Sequence, residues 1–153
     1  MRRTDRQLAR EDGLAFLGRA HWGVLAAIDG DRPMCVPISY GVDGEGRLFF
    51  HGATAGRKAG VLKDGIRCSF AAVASAEPWL EQYKHLYESV IVEGTLRCLK
   101  GEEAVAALRT ICAHYGDVPE GTDAMAAGAL AGGAVQAWCL VPDSIEAKAC
   151  RRP

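Results

Sequence analysis

The spacing of apolar residues changes several times along the chain, and each change marks an element. Leu8, Leu14, Phe16 and Leu17 recur at roughly helical spacing, which predicts an amphipathic helix from Asp5 to Arg19 with Gly18 near its end. Trp22 to Ile28 is a short apolar run that reads as a buried strand, and Asp29-Gly30-Asp31 is a turn signal. Pro33 to Val42 reads as a second strand, so the two form a hairpin. After the turn Asp43-Gly44-Glu45-Gly46, Arg47 to His51 is a third strand. Ala55 to Lys63 reads as a short helix and Ile66 to Val73 as a strand of small and apolar residues. Ser75 to His85 has no clear period and reads as a long loop. Tyr87 to Leu99 is a long strand with a bulge expected at Gly94. Glu102 to Tyr115 is a helix with Val105, Leu108, Ile111 and Cys112 on one face. Thr122 caps a short Ala-rich helix to Ala131, which Gly132-Gly133 breaks. Ala134 to Val141 is a last strand, and a short extended piece, Ser144 to Lys148, follows Pro142.

Five or six strands at short spacing, joined mostly by hairpins, predict a small antiparallel barrel with appended helices. The alternation of helix and strand is too irregular for a doubly wound parallel sheet. No repeat or low-complexity linker divides the chain, so residues 1–153 read as one domain.

Charge narrows the function classes. Eighteen Lys+Arg against nineteen Asp+Glu leave a formal charge of -1, without the excess positive charge a strongly basic nucleic-acid binder carries. No apolar run approaches the ~20 residues of a membrane span, so no membrane partner is expected. Arg2 and Arg3 are followed by Arg10, Glu11 and Asp12 rather than by an apolar stretch, and a cytoplasmic location is the expectation. The six cysteines form no CxxC pair, which removes zinc-ribbon and thioredoxin readings. Four lie in apolar runs and read as buried free thiols.

Neither GxGxxG nor GxxxxGK[ST] occurs, so the common dinucleotide and P-loop sites are absent from the sequence. Two segments could still carry chemistry. In Phe49-Phe50-His51-Gly52-Ala53-Thr54-Ala55-Gly56-Arg57-Lys58, a strand ends, small residues turn the chain, and a helix begins with two cations in its first turn. Cations there oppose the helix dipole, and a bound phosphate would compensate them; a solvated basic pair is the other reading. In Pro33 to Tyr40, Pro37 sits inside a strand, where it cannot donate a ladder hydrogen bond. That implies an edge, a bulge, or a face turned to a ligand such as an aromatic ring system. His21 and His114 have no partnered spacing for a metal and read as surface or capping residues. Trp79 and Tyr83 either cover a ligand or pack the barrel mouth, and Trp138 reads as core or interface.

Three ordered blocks make the chain resemble the FMN-binding split β-barrel proteins related to pyridoxamine 5'-phosphate oxidase, and within them the nitroimidazole-resistance branch. They are Val36-Pro37-Ile38-Ser39-Tyr40; Phe50-His51-Gly52-Ala53 with Gly56 and Lys58; and Tyr87-Glu88-Ser89-Val90-Ile91-Val92-Glu93-Gly94. The resemblance implies a homodimer with FMN at its interface and reduction of a small, nitroaromatic-type substrate. It implies that Arg57 and Lys58 hold the flavin phosphate, that the ring lies along Val36 to Tyr40, that His51 and Ala53 flank the cofactor, and that Ser89 gives a polar contact. His51, with its ordinary pKa near neutrality, is the expected proton donor on the substrate side. The chain ends Ala149-Cys150-Arg151-Arg152-Pro153 where pyridoxamine phosphate oxidases carry Arg-Leu-His-x-Arg, so vitamin B6 oxidation is not expected. A non-catalytic flavin-binding protein, and a haem-binding split barrel with His51 or His85 as axial ligand, are the rival readings.

Overall fold

The computed structural model describes residues 3–152. The described elements run in the order α1 (Arg10–Leu17), β1 (Trp22–Asp29), β2 (Arg32–Ser39), β3 (Gly41–Val42), β4 (Leu48–Ala53), α2 (Arg57–Val61), β5 (Arg67–Trp79), β6 (Lys84–Leu99), α3 (Gly101–Tyr115), α4 (Thr122–Ala131) and β7 (Val135–Cys150). The seven strands form one sheet in the order β2-β1-β5-β6-β7-β4-β3, antiparallel at every pairing. The predicted antiparallel architecture with few helices is what forms.

The sheet curls. Phe50 on β4 and Phe70 on β5 are three strand steps apart, roughly 14 Å on a flat sheet. Their ring centroids are 5.6 Å apart, so the two strands face each other across the core. Tyr40, Phe50, Phe70 and Trp138 are fully buried there with Leu25, Leu48, Val90, Val92, Leu96 and Leu140. The barrel closes at a single residue. β2 and β3 are the two margins of the sheet, yet only Tyr40 separates them in the chain. Two Cα–Cα steps span less than 8 Å, so the margins are held together covalently rather than by a strand ladder. The Tyr40 hydroxyl donates to the Leu17 carbonyl oxygen at 2.7 Å, and its backbone N–H donates to the Tyr115 hydroxyl at 3.0 Å. Tyr115 in turn donates to the His21 carbonyl, and the His114 ring meets the Ala20 carbonyl oxygen at 2.8 Å. The end of α3 thereby fastens the closure, with His114 holding the link between α1 and β1.

Five elements differ from expectation. The N-terminal helix starts at Arg10, because Leu8 N–H bonds the Ala147 carbonyl and Gln7 bridges Lys148, which draws residues 7 and 8 onto the end of β7. The second strand stops at Ser39, where the chain crosses to the other margin. The loop expected at Ser75 to His85 is instead the end of a β5–β6 hairpin: Trp79 pairs Lys84, and a short 3-10 turn over Leu80–Gln82 closes it. A register shift between Ala74 and Glu77 had disguised the period. The final strand runs unbroken through Pro142 to Cys150, since Pro142 sits opposite the Gly94 bulge, where the ladder is already interrupted. Thr122 begins α4 but its hydroxyl donates to the Pro119 carbonyl at 2.7 Å instead of capping the helix.

Candidate functional site

The turn between β4 and α2 gathers four of the expected residues: His51, Ala53, Arg57 and Lys58. Along β4, Leu48 and Phe50 point into the barrel while Phe49 and His51 point out, as a two-residue period dictates. The turn is anchored from outside. Thr54 donates to the Gly133 carbonyl at 2.6 Å, and Gln136 donates its side-chain N–H to the Ala53 carbonyl at 3.1 Å. Gly56 then takes φ 93°, a value only glycine adopts without strain, and α2 begins at Arg57. α2 is five residues long, so its dipole adds little and the two cations carry the positive character of the turn.

These cations are held differently. Arg57 Nε donates to Asp29 Oδ2 at 2.8 Å, which ties the turn to the end of β1. Lys58 folds back over the inward face of β4, with Nζ 5.9 Å from the centre of the Trp138 ring. Gly52 makes this berth: a Cβ there would lie 2.6 Å from Lys58 Nζ. Trp138 is fixed in turn by donating Nε1–H to the Leu62 carbonyl at 3.0 Å, just past α2. Among the described residues Lys58 has no carboxylate partner. The result is a constrained cation with unspent hydrogen-bond donors, suited to an anion.

His51 is exposed on the outward side of the same strand end. Partial desolvation, and then the Lys58 ammonium, lower its pKa from the ordinary histidine value. Its neutral ring is therefore favoured at neutral pH.

The other expected site residues are spread out. On β2, Ile38 is buried and Val36 half-buried against the core, while Pro37 and Ser39 face outward. β2 is a sheet margin, which accounts for Pro37. Tyr40 departs from its expected role: its side chain is fully buried, both its hydroxyl and its N–H have partners, and burial pushes its phenol well above the usual value. It is a core residue and offers a ligand neither its ring nor its N–H. Ser89 lies half-buried on β6, opposite Val73 and Lys148 and three strands from β2, so one chain does not bring it to the turn. Trp79 is half-buried and Tyr83 almost wholly exposed with φ 49°, so Tyr83 packs against none of the described residues. All six cysteines are free; Cys68, Cys139 and Cys150 are buried, and desolvation pushes Cys68 and Cys139 up to about 11. Asp29, Gly52 and Trp138 take part in the turn in roles the sequence did not assign them. Gly52 had a signal, since glycine inside a strand often marks a close approach; the Asp29–Arg57 pair had none.

The sequence profile of the pyridoxamine 5'-phosphate oxidase family matches residues 9–149. The chain belongs to that family. No curated protein matches it in sequence. Among solved structures, a provisionally assigned 5-nitroimidazole antibiotic resistance protein from Bacteroides thetaiotaomicron superposes with a TM-score of 0.76 at 19% identity, over 93% of this chain and 85% of that one. The FAD and haem binding protein from Mycobacterium smegmatis gives 0.68 at 20% identity, over 96% of this chain and 74% of that one. The FAD binding protein from the same organism gives 0.68 at 17%, over 96% and 99%. These structures are thus similar to the chain along almost its whole length, and at these identities the likeness shows the split-barrel fold. No helix among the described residues is long and apolar enough to cross a membrane.

Proposed function

We propose that the chain is a flavin-dependent reductase that binds FMN in a homodimer, with the flavin phosphate at Arg57 and Lys58 and a small nitroaromatic-type molecule as substrate. The observation that carries this reading is the Lys58 ammonium, seated over Gly52 and Trp138 beside Arg57 and, among the described residues, without a carboxylate of its own. Bound flavin would supply the redox chemistry. The chain's share is to hold and orient. Asp29 steers Arg57 through Nε, which leaves the two terminal nitrogens of the guanidinium to face a phosphate. The outward residues Pro37 and Ser39 offer a flat margin strand for a ring. His51, kept largely neutral, is placed to exchange a hydrogen bond or proton with a substrate at the strand end.

A dimer is supported by the outward face of β1, β5 and β6. Val24, Ile28, Val73 and Ile91 form an exposed apolar surface there, with Trp22 at its edge. A two-fold partner on this face would cover it and complete a site that one chain leaves dispersed.

Titration with FMN tests the reading. Replacing Arg57 and Lys58 together with Ala is expected to weaken binding by roughly two to four decades, from contacts worth about 1.5–3 kcal/mol each. Light scattering of the FMN-bound parent should give about twice the chain mass. Unchanged affinity in the variant would place the phosphate elsewhere, and a monomer that still binds FMN would remove the interface. His51→Gln should keep FMN affinity within a few-fold and slow reoxidation of the reduced protein by a nitroaromatic acceptor about 10²-fold. Equal rates would leave His51 without a chemical role.

A further inference from the structure

Two strands of the barrel outrun it. β5 and β6 pair from Arg67–Thr95 to Trp79–Lys84, but β1 meets β5 only at Ser69, Phe70 and Ala71, and β7 reaches β6 only as far as Tyr87. Among the described residues the piece from Glu77 to Leu86 has no third strand on either side. It is a two-stranded ribbon, closed by the turn Leu80–Gln82. Such a ribbon is only marginally stable in water by itself. Its tip is apolar and uncovered: Leu80 is 75% and Tyr83 99% exposed. Tyr83 also takes φ 49°, a left-handed conformation that costs a bulky residue free energy.

The ribbon matches the apolar outward face in length. The register of β1 on β5, with Val24 opposite Ala71, puts Trp22 beside Val73 at one end of that face. Trp22 is six residues from Ile28, which stands 66% exposed at the other end. Ser89, opposite Val73, is six residues from Tyr83. Both spans are roughly 20 Å. Face and ribbon therefore run in opposite directions from the row of Trp22 and Val73, over equal distances. A two-fold axis that packs this face on a second copy lies in the plane between them. If it crosses the strands at that row, each ribbon turns onto the face of the other copy and its tip arrives at the far end. An axis along the strands would set the two ribbons side by side and leave both ends of the face uncovered by them. The exposed large apolar residues of the face, together with Leu80 and Tyr83 and weighted by their exposure, offer roughly 800 Å², one partner's share of a standard stable interface.

We propose that the β5–β6 ribbon is an exchanged arm: across a two-fold axis near Trp22 and Val73, it lies on the outward face of a second copy of this chain, with Leu80 and Tyr83 against the partner's Ile28. The arm rests on the homodimer reading above and gives that dimer its orientation, with the strands of the two copies running end over end.

The test needs neither flavin nor activity. Sedimentation of the full chain is expected to show a dimer. Leu80→Ser/Tyr83→Ser, two changes at exposed positions, should weaken it at least about tenfold while circular dichroism stays that of the parent. Cys35, exposed on the outward side of β2, serves as a native marker on the face. A flexible bismaleimide added to Tyr83→Cys should join two chains through the partner's Cys35, and adding Cys35→Ser should abolish the link. Within one chain the two positions are at opposite ends of the sheet, roughly 30 Å apart, so only a partner brings them together. A monomeric parent overturns the dimer reading and the arm with it. A dimeric parent whose Leu80→Ser/Tyr83→Ser variant holds together as tightly overturns the arm alone. So does a link between the two substituted tips, or the lack of any link to Cys35.

Discussion

At the barrel closure every polar group that enters the interior has been given a partner. Tyr40 spends its hydroxyl on Leu17 and its N–H on Tyr115, and its ring packs at 4.8 Å from Phe70 and 4.7 Å from His114. Among the described residues no buried side-chain nitrogen or oxygen lacks a hydrogen bond. At the β4–α2 turn the accounting is left open: Lys58 stacks on Trp138 with no acid beside it among the described residues, and His51 stands exposed a few residues away. Both regions draw on aromatic residues of the same barrel. The difference teaches where free energy is stored and where binding capacity is kept. Satisfied polar groups lock a structure, and unsatisfied ones at its rim can receive a ligand.

If that division holds, the two regions should respond to substitution in different observables. Phe70→Ala removes a fully buried ring between Tyr40 and Phe50. It is expected to cost about 3–5 kcal/mol in urea unfolding, with whatever FMN affinity the folded fraction has left unchanged. Selective loss of FMN binding with stability retained would break the comparison. Tyr40→Phe keeps the ring and strands the Leu17 carbonyl, an expected cost of about 1–3 kcal/mol. Its FMN affinity should equal the parent's, and a tenfold loss would return Tyr40 to the site.

The smallest effect concerns pH. The folded-state pKa of His51 is lowered, so the unfolded chain binds a proton more readily. This group then makes stability fall as pH drops through about 6.5, the unfolded value, with the loss complete below the folded value. His51→Gln should flatten the stability profile as pH falls through about 6.5. A variant as steep as the parent would show that the slope comes from other groups.

Much of the fold was legible, because the hairpin of β1 and β2, the bulge at Gly94 and the face of α3 depend on local patterns. What escaped depends on partners distant in sequence. The β5–β6 extension hid behind the Ala74–Glu77 register shift, and β7 looked broken because Pro142 is tolerated only opposite the Gly94 bulge. The turn of the site was visible as Gly56-Arg57-Lys58 after a strand, since glycine and paired cations are local signals. Its partners were not: Asp29 lies 28 residues from Arg57, and Trp138 reaches Lys58 only because β7 pairs with β4. The inward turn of Tyr40 was equally hidden, as it follows from the chain crossing between sheet margins.

The margin strand β2 has a bearing on how the protein behaves in crowded solution. An open strand edge is a template on which another molecule's strand can add, and chains rich in Val and Ile are prone to such growth. Pro33 and Pro37, four residues apart on β2, carry no amide hydrogen. A strand approaching this edge finds gaps in the row of donors it would need, and the rings obstruct close approach. The other margin, β3, is only two residues long. Fibrillar association through the native sheet is thus hindered at both ends.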